Sequence, residues 1–256
     1  GAWQGVGGLK MAFSPCEMLR WLPTSIGFAL ASNSLYAAYT LGVGPATAVA
    51  LGYLYMPLSA LSSRWLFRRY YGWLEAHALG LLTLSILPFA GLRSRAMRMS
   101  EGVQGFEFVL LSVVFSCLAS LLGEWLLKPK YAARWGATTP FFCVQKVRIE
   151  VWGGITSAVI LLLLRSEYTA VWGEWDIRMT IALLVSVAQG WLAGLVAKHL
   201  STVAKAVIQC LSSLFVFFCG DLVIWGRGLS SLPLTLLALV VALSAFMYQL
   251  GRRRTL

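Results

Sequence analysis

The feature that most constrains this chain is a series of about eight apolar stretches, each roughly 20 residues long, the length of helix that crosses a bilayer. The predicted spans cover residues 22–43, 46–64, 73–92, 105–127, 149–164, 179–199, 203–225 and 228–251. Charged or turn-forming residues lie at their ends, and few charges lie inside them. We therefore expect an all-α membrane protein with about eight transmembrane helices.

The composition argues against most other classes of protein. Hydrophobic residues make up 59% of the 256 residues and charged residues only 12%, whereas a soluble domain has about 25% charged residues. The long apolar runs also lack the in–out alternation of barrel strands. The net charge of +11 comes from basic residues beside the span ends. More of them lie on the side of the two termini, which predicts cytosolic termini rather than nucleic-acid binding.

The spans divide the chain into an N-terminal segment (1–21), a transmembrane bundle (22–251) and a basic C-terminal tail (252–256). The chain begins with Gly rather than Met and its opening lacks the layout of a signal peptide, so we expect a processed or truncated chain. Its five cysteines lack CxxC spacing, and no HExxH, GxSxG or Walker motif is present. We therefore expect neither an enzyme nor a bound metal or other cofactor.

Two lysines stand out because charges inside a bilayer are costly. Lys198 and Lys205 are two helical turns apart if the helix is continuous, or at two adjoining helix ends if it breaks at Ser201. They could form a cationic site for phosphate or carboxylate, or both could extend to the interface. Just before them, Gly190 and Gly194 form a GxxxG pattern, which is typical of closely packed membrane helices.

Other polar residues near the spans also have two interpretations. Glu124 could pair with a lysine inside the bundle or lie at the headgroup boundary beside Lys128, the alternative we favour. Lys146 and Glu150 have the spacing of an i,i+4 ion pair. Asn33, inside the first span, is more typical of an interhelical hydrogen bond than of a ligand contact.

Three segments resemble the nucleotide-sugar transporters of the drug/metabolite transporter superfamily, especially those that carry CMP-sialic acid, UDP-galactose and UDP-N-acetylglucosamine. Residues 190–212 (GWLAGLVAKHLSTVAKAVIQCLS) place Lys198 and Lys205 on two lysines of the family. Residues 115–128 (FSCLASLLGEWLLK) place Glu124 on its acid, and residues 33–57 begin with Asn33 on an Asn of its paired-Asn motif.

The resemblance implies a ten-helix bundle in two inverted halves, with both termini cytosolic and the eight spans matching the last eight helices. It also implies exchange of a nucleotide sugar for a nucleoside monophosphate in the Golgi or endoplasmic reticulum. Lysines of the family meet the phosphate, and Lys198 is the first candidate for that role. The substrate-binding candidates are Lys198, Lys205, Asn33, Tyr55, Lys146 and Glu124.

The chain also departs from the family pattern. Tyr55 replaces a family lysine, Lys146 stands where the family has an Asn, and the first two helices have no counterpart. These departures keep two alternatives open. The chain could be a descendant that no longer transports and serves as a structural subunit of a larger complex in an organelle membrane, or an exporter of a different metabolite.

Overall fold

A computed structural model describes residues 13–68, 70–96, 105–128, 142–163, 176–215 and 232–255. All regular elements in these ranges are helices: α1 (Pro15–Thr40), α2 (Pro45–Gly52), α3 (Tyr55–Phe67), α4 (Trp73–Ala96), α5 (Phe106–Leu127), α6 (Phe142–Leu163), α7 (Ile177–His199), α8 (Thr202–Phe215) and α9 (Leu232–Thr255). Only two residues separate α2 from α3, so these ranges contain eight helical segments in the predicted order. The all-helical class is confirmed, and α5 and α7 are long and apolar enough to cross a membrane.

The bounds of α5 follow its apolar run closely, whereas α4 begins as predicted and continues four residues beyond the predicted end, to Ala96. Other bounds differ where charges lie inside a helix. The fifth segment, α6, begins at Phe142 rather than at residue 149, and α1 begins at Pro15 within the predicted N-terminal segment. At the other end α9 continues into the predicted tail, to Thr255. The predicted ends at residues 225 and 228 lie outside the described residues.

The second predicted span is broken into α2 and α3 near Pro57. Proline has no N–H to donate to the carbonyl four residues earlier, which belongs to Tyr53. The N–H of Met56 donates to that carbonyl instead, at 3.1 Å, and the N–H of Tyr53 donates to the carbonyl of Ala50 at 3.2 Å. These three-residue spacings tighten the chain and end α2.

The chain is organised as two compact units, residues 1–30 with 118–202 and residues 31–117 with 203–256. In the first unit, the core contains Trp21, Leu127, Phe142 and Ala197. A hydrogen bond connects α1 and α6 in this unit: the Ser25 hydroxyl donates to the Ile149 carbonyl at 3.0 Å. A second bond runs from the Trp152 indole N–H to the Met18 carbonyl at 2.9 Å.

In the second unit, α4 packs along α9, and α2 and α3 also contact α4. The last turn of α1, the connection that follows it, α2 and the start of α5 share a separate core of Ala38, Val43, Ala48 and Val109. Gly105, just before α5, has a positive φ of 100° and lies against the chain between α1 and α2. The second unit also contains a cavity, which is lined by residues of α1, α2, α3 and α8.

Candidate functional site

Two of the predicted site residues, Tyr55 and Lys205, lie together in the second unit. The Lys205 ammonium is 6.0 Å from the centre of the Tyr55 ring, which is within the range of a cation–π interaction. Tyr55 also lines a cavity of about 200 Å³. The cavity walls come from α1, α2, α3 and α8, and their side chains are Leu35, Tyr39, Ala48, Val49, Gly52, Tyr53, Tyr55, Met56, Ala206, Gln209 and Cys210.

The side chains that line this cavity are mostly apolar, with a few polar groups among them, and the Lys205 cation lies nearby. Lys205 directly precedes the lining residue Ala206 and lies one helical turn before Gln209, another lining residue. An aromatic face attracts an ammonium without neutralising its charge, because the ring carries no net charge. Lys205 brings a positive charge to this wall of the cavity, and a phosphate or carboxylate that reached its ammonium would gain a charge-assisted hydrogen bond.

Lys198 lies in the first unit, at the contact between α6 and α7. Its ammonium is 5.7 Å from the centre of the Phe142 ring. The same ring packs against Gly194, where an added Cβ would come within 3.0 Å of the ring's Cζ atom. The Lys146 ammonium lies 3.7 Å from the position of a Cβ on Gly190. Gly194 thus lets α6 approach α7 closely, as the GxxxG pattern predicts, while at Gly190 a Cβ would make only an ordinary contact.

Two predicted site residues already have ion-pair partners. The Lys146 ammonium is 2.6 Å from a carboxylate oxygen of Glu150, which confirms the predicted i,i+4 pair. Glu124, only 3% exposed, pairs with Lys128, the neighbour that the sequence favours. Within the described ranges no carboxylate lies in ion-pair contact with Lys198.

Of the two arrangements that the sequence left open for Lys198 and Lys205, the structure has the second, in which they lie on different helices. Lys198 is in the last turn of α7, and Lys205 is in the first part of α8, since α7 ends at His199 and α8 begins at Thr202. The predicted break near Ser201 is confirmed. Asn33 is half-buried in α1, within the second unit.

One charged cluster was not predicted from the sequence. Arg148 is 1% exposed in α6, and its guanidinium donates to a carboxylate oxygen of Glu17 at 3.3 Å. The other oxygen of Glu17 accepts from Arg20 at 2.9 Å. No local spacing could have shown this pair, because Glu17 and Arg148 are 131 residues apart in the chain. Gln209, in contrast, could have been found from its helical spacing to Lys205.

No protein-family model matches the chain, and no curated protein matches it. Among the residues that the structure describes, no three His, Cys, Asp or Glu side chains are grouped so that they could hold a metal ion. Each unit therefore has its own candidate location: the Lys205–Tyr55 pair with its cavity in the second unit, and Lys198 beside Phe142 in the first.

Proposed function

We propose that the chain is a multi-pass integral membrane protein. Residues 183–187 of α7 support this most directly, because all five are exposed. Five consecutive residues cover more than one full helical turn, so every side of the helix is exposed there. Leu184 and Val185, for example, are 63% and 60% exposed. Four of these five side chains are apolar and Ser186 is polar. A helix whose exposed surface is mostly apolar is poorly stable in water, whereas lipid tails solvate it well.

The membrane setting has a direct test on that helix. A nitroxide attached in turn at residues 183, 184, 185 and 187 is expected to collide with oxygen, which concentrates in lipid, and to be shielded from a water-soluble nickel chelate. Exposed positions in water give the opposite pattern, and that pattern at these four sites would contradict a bilayer location.

Within that membrane, we propose the exchange of a nucleotide sugar for a nucleoside monophosphate, with the Lys205–Tyr55 cavity as the place where the phosphate binds. The observation that carries this proposal is the Lys205 ammonium above the Tyr55 ring at a cavity wall. Tyr55 stands where the resembled family has a lysine, and its ring now lies under the Lys205 cation. The site therefore still presents a positive charge to an anionic substrate.

The size of the cavity adds a requirement to this proposal. Pockets for small ligands enclose about 300–1,000 Å³, while this cavity encloses about 200 Å³. A whole nucleotide sugar therefore does not fit in the described conformation. Alternating access supplies the wider state, since one set of helices moves against the other during each cycle.

A second function is favoured by specific observations. Lys146 and Glu124 are held in ion pairs with Glu150 and Lys128, which leaves them less available for a substrate. The exposed apolar side of α7 also suits contact with helices of other proteins. Both features fit a descendant of the family that no longer transports and serves as a structural subunit of a complex in an organelle membrane.

One experiment tests transport for the full-length protein in liposomes. The liposomes are preloaded with UMP, CMP or GMP, and each set receives a panel of labelled nucleotide sugars. Exchange predicts uptake of at least one sugar, and that uptake requires the matching nucleotide inside. No uptake above protein-free liposomes with any pair refutes the transport proposal.

The structural alternative is tested by mild extraction of the protein from its own membrane. A subunit is expected to purify in a complex of constant stoichiometry with other membrane proteins, and to take up no sugar after reconstitution. A transporter of the Golgi or endoplasmic reticulum is expected to purify without such partners. A solitary protein that is also inactive in uptake contradicts both proposals.

A further inference from the structure

The connection between α7 and α8 is very short and has an unusual backbone. Only Leu200 and Ser201 lie between His199, the last residue of α7, and Thr202, the first residue of α8. Leu200 has φ −109° and ψ −102°, outside both the helical and the extended regions. This turn lies between the end of α7, which carries Lys198, and the start of α8 at Thr202, so its geometry decides how the chain leaves α7.

Residues in the last turns of α5, and Lys128 directly after it, form hydrogen bonds to both ends of this connection. A carboxylate oxygen of Glu124 accepts the Thr202 backbone N–H at 2.6 Å, and the Thr202 hydroxyl donates to the Ser120 carbonyl at 3.4 Å. The Lys128 ammonium donates to the Leu200 carbonyl at 3.1 Å and also pairs with the other oxygen of Glu124. We name Glu124, Lys128, Leu200 and Thr202 the turn clasp.

The signs of the two charges match the helix ends that they meet. The first N–H groups of a helix have no partner within it and carry partial positive charge, which a carboxylate offsets. The carbonyls at the end of a helix carry partial negative charge, which an ammonium offsets. In the turn clasp, the acid lies at the beginning of α8 and the base at the end of α7. Exchanging the two charges would place each against the wrong helix end.

We infer that Glu124 and Lys128 are positioning residues: they fix the α7–α8 turn, and thereby the end of α7 that carries Lys198, without binding the substrate themselves. This inference rests on the proposed function for its effect on transport. Its effect on the turn is independent of transport. Glu124, a substrate-binding candidate in the sequence, would then act through the turn, since both of its oxygens are already occupied.

The turn itself is tested by backbone hydrogen exchange on the full-length protein in lipid nanodiscs. Glu124→Ala is expected to speed exchange at residues 202–205 by about tenfold or more, as the loss of about 1.4 kcal/mol of local protection does. The matched control is Asp176→Asn, a change of carboxylate to amide at the exposed N-cap of α7. This control variant is expected to leave the rate of hydrogen exchange at residues 202–205 unchanged. Unchanged exchange in Glu124→Ala overturns the inference.

A charge-reversed double variant separates positioning from simple ion pairing. Glu124→Lys with Lys128→Glu restores an i,i+4 pair but inverts the charges at both helix ends. The inference predicts that exchange at residues 202–205 stays fast in this variant. Rescue to the wild-type rate would show that only the pair matters, and would overturn the inference. Glu124→Gln, which retains an acceptor and the side-chain size, is expected to be intermediate and guards against a misfolded alanine variant.

In the uptake assay, a misplaced Lys198 is expected to weaken substrate binding more than it slows the loaded carrier. Glu124→Gln should therefore raise the half-saturating sugar concentration by about tenfold with a smaller change in maximal rate. An equal half-saturating concentration overturns the positioning role. If the wild type takes up no sugar, the proposed function fails, and hydrogen exchange alone then decides whether the turn clasp exists.

Discussion

Replacing Gly194 by alanine is expected to destabilise the α6–α7 contact, while the same change at Gly190 is expected to be harmless. A Cβ at Gly194 would come within 3.0 Å of Cζ and 3.2 Å of Cε2 of Phe142. That ring is 9% exposed and makes an edge contact with Trp191 at 5.9 Å between centroids, so it has little room to move. A Cβ at Gly190 would meet only the Lys146 ammonium, at an ordinary 3.7 Å.

Two opposing effects set the magnitude of this prediction. Glycine to alanine within a helix favours folding by about 1 kcal/mol, and this gain applies to both positions. Overpacking in a filled interior costs about 1–3 kcal/mol, and it applies only at Gly194. The two variants should therefore differ by about 1–3 kcal/mol in free energy of unfolding, with Gly194→Ala the less stable.

The assay is reversible unfolding in mixed detergent micelles, followed by tryptophan fluorescence. A Phe142→Leu background removes the ring atoms that the new Cβ would meet. Gly194→Ala should lose its cost there, giving a coupling energy of about 1–3 kcal/mol in the double-mutant cycle. Equal stability of the two alanine variants would refute the packing argument, and so would a cost at Gly194 that persists in the Phe142→Leu background.

Two further predictions concern stability. Gly105→Ala should cost about 2–4 kcal/mol in chemical unfolding, because a positive φ is strained for alanine and its Cβ would also meet neighbouring side chains at 3.0 Å. Gly42→Ala, with a φ of 85° and nothing within 4 Å, should show only the strain, about 1–2 kcal/mol, and equal costs would contradict the steric part. Glu17→Gln should cost about 3 kcal/mol and more than Arg148→Met, because it leaves a buried guanidinium without the carboxylate that offsets it. The same unfolding assay decides, and the reverse order would contradict the importance of that charge pair.

Apolar runs predict the helices of this chain well where the ends of a run in the sequence are also the ends of the helix. For α5, a run bounded by Gly105 and Lys128 gives almost the same bounds as the structure. The prediction is poor at the start of α6 for a physical reason. Lys146 and Arg148 are tolerated inside the helix because Glu150 and Glu17 offset their charges, and the second of these partners comes from a distant part of the chain.

The candidate site could be predicted in part. Their place near apolar spans made Lys198 and Lys205 candidates from the sequence, and the GxxxG pattern predicted the close contact found at Gly194. The meeting of Lys205 with Tyr55 could not be predicted, because it depends on how α3 and α8 pack within the second unit. The role of Glu124 could not be predicted either. It accepts the backbone N–H of Thr202, which has no acceptor within its own helix because α8 begins at that residue.

The most direct test of exchange at the Lys205–Tyr55 cavity compares two variants of Lys205 in preloaded liposomes. Lys205→Met keeps the length of the side chain and removes its charge, while Lys205→Arg keeps the charge. If the cation binds the substrate phosphate, the methionine variant should lose at least about tenfold in uptake efficiency, as expected from losing one charge-assisted hydrogen bond. The arginine variant should keep most of it. Uptake by Lys205→Met at the wild-type efficiency would contradict a phosphate site at this cavity.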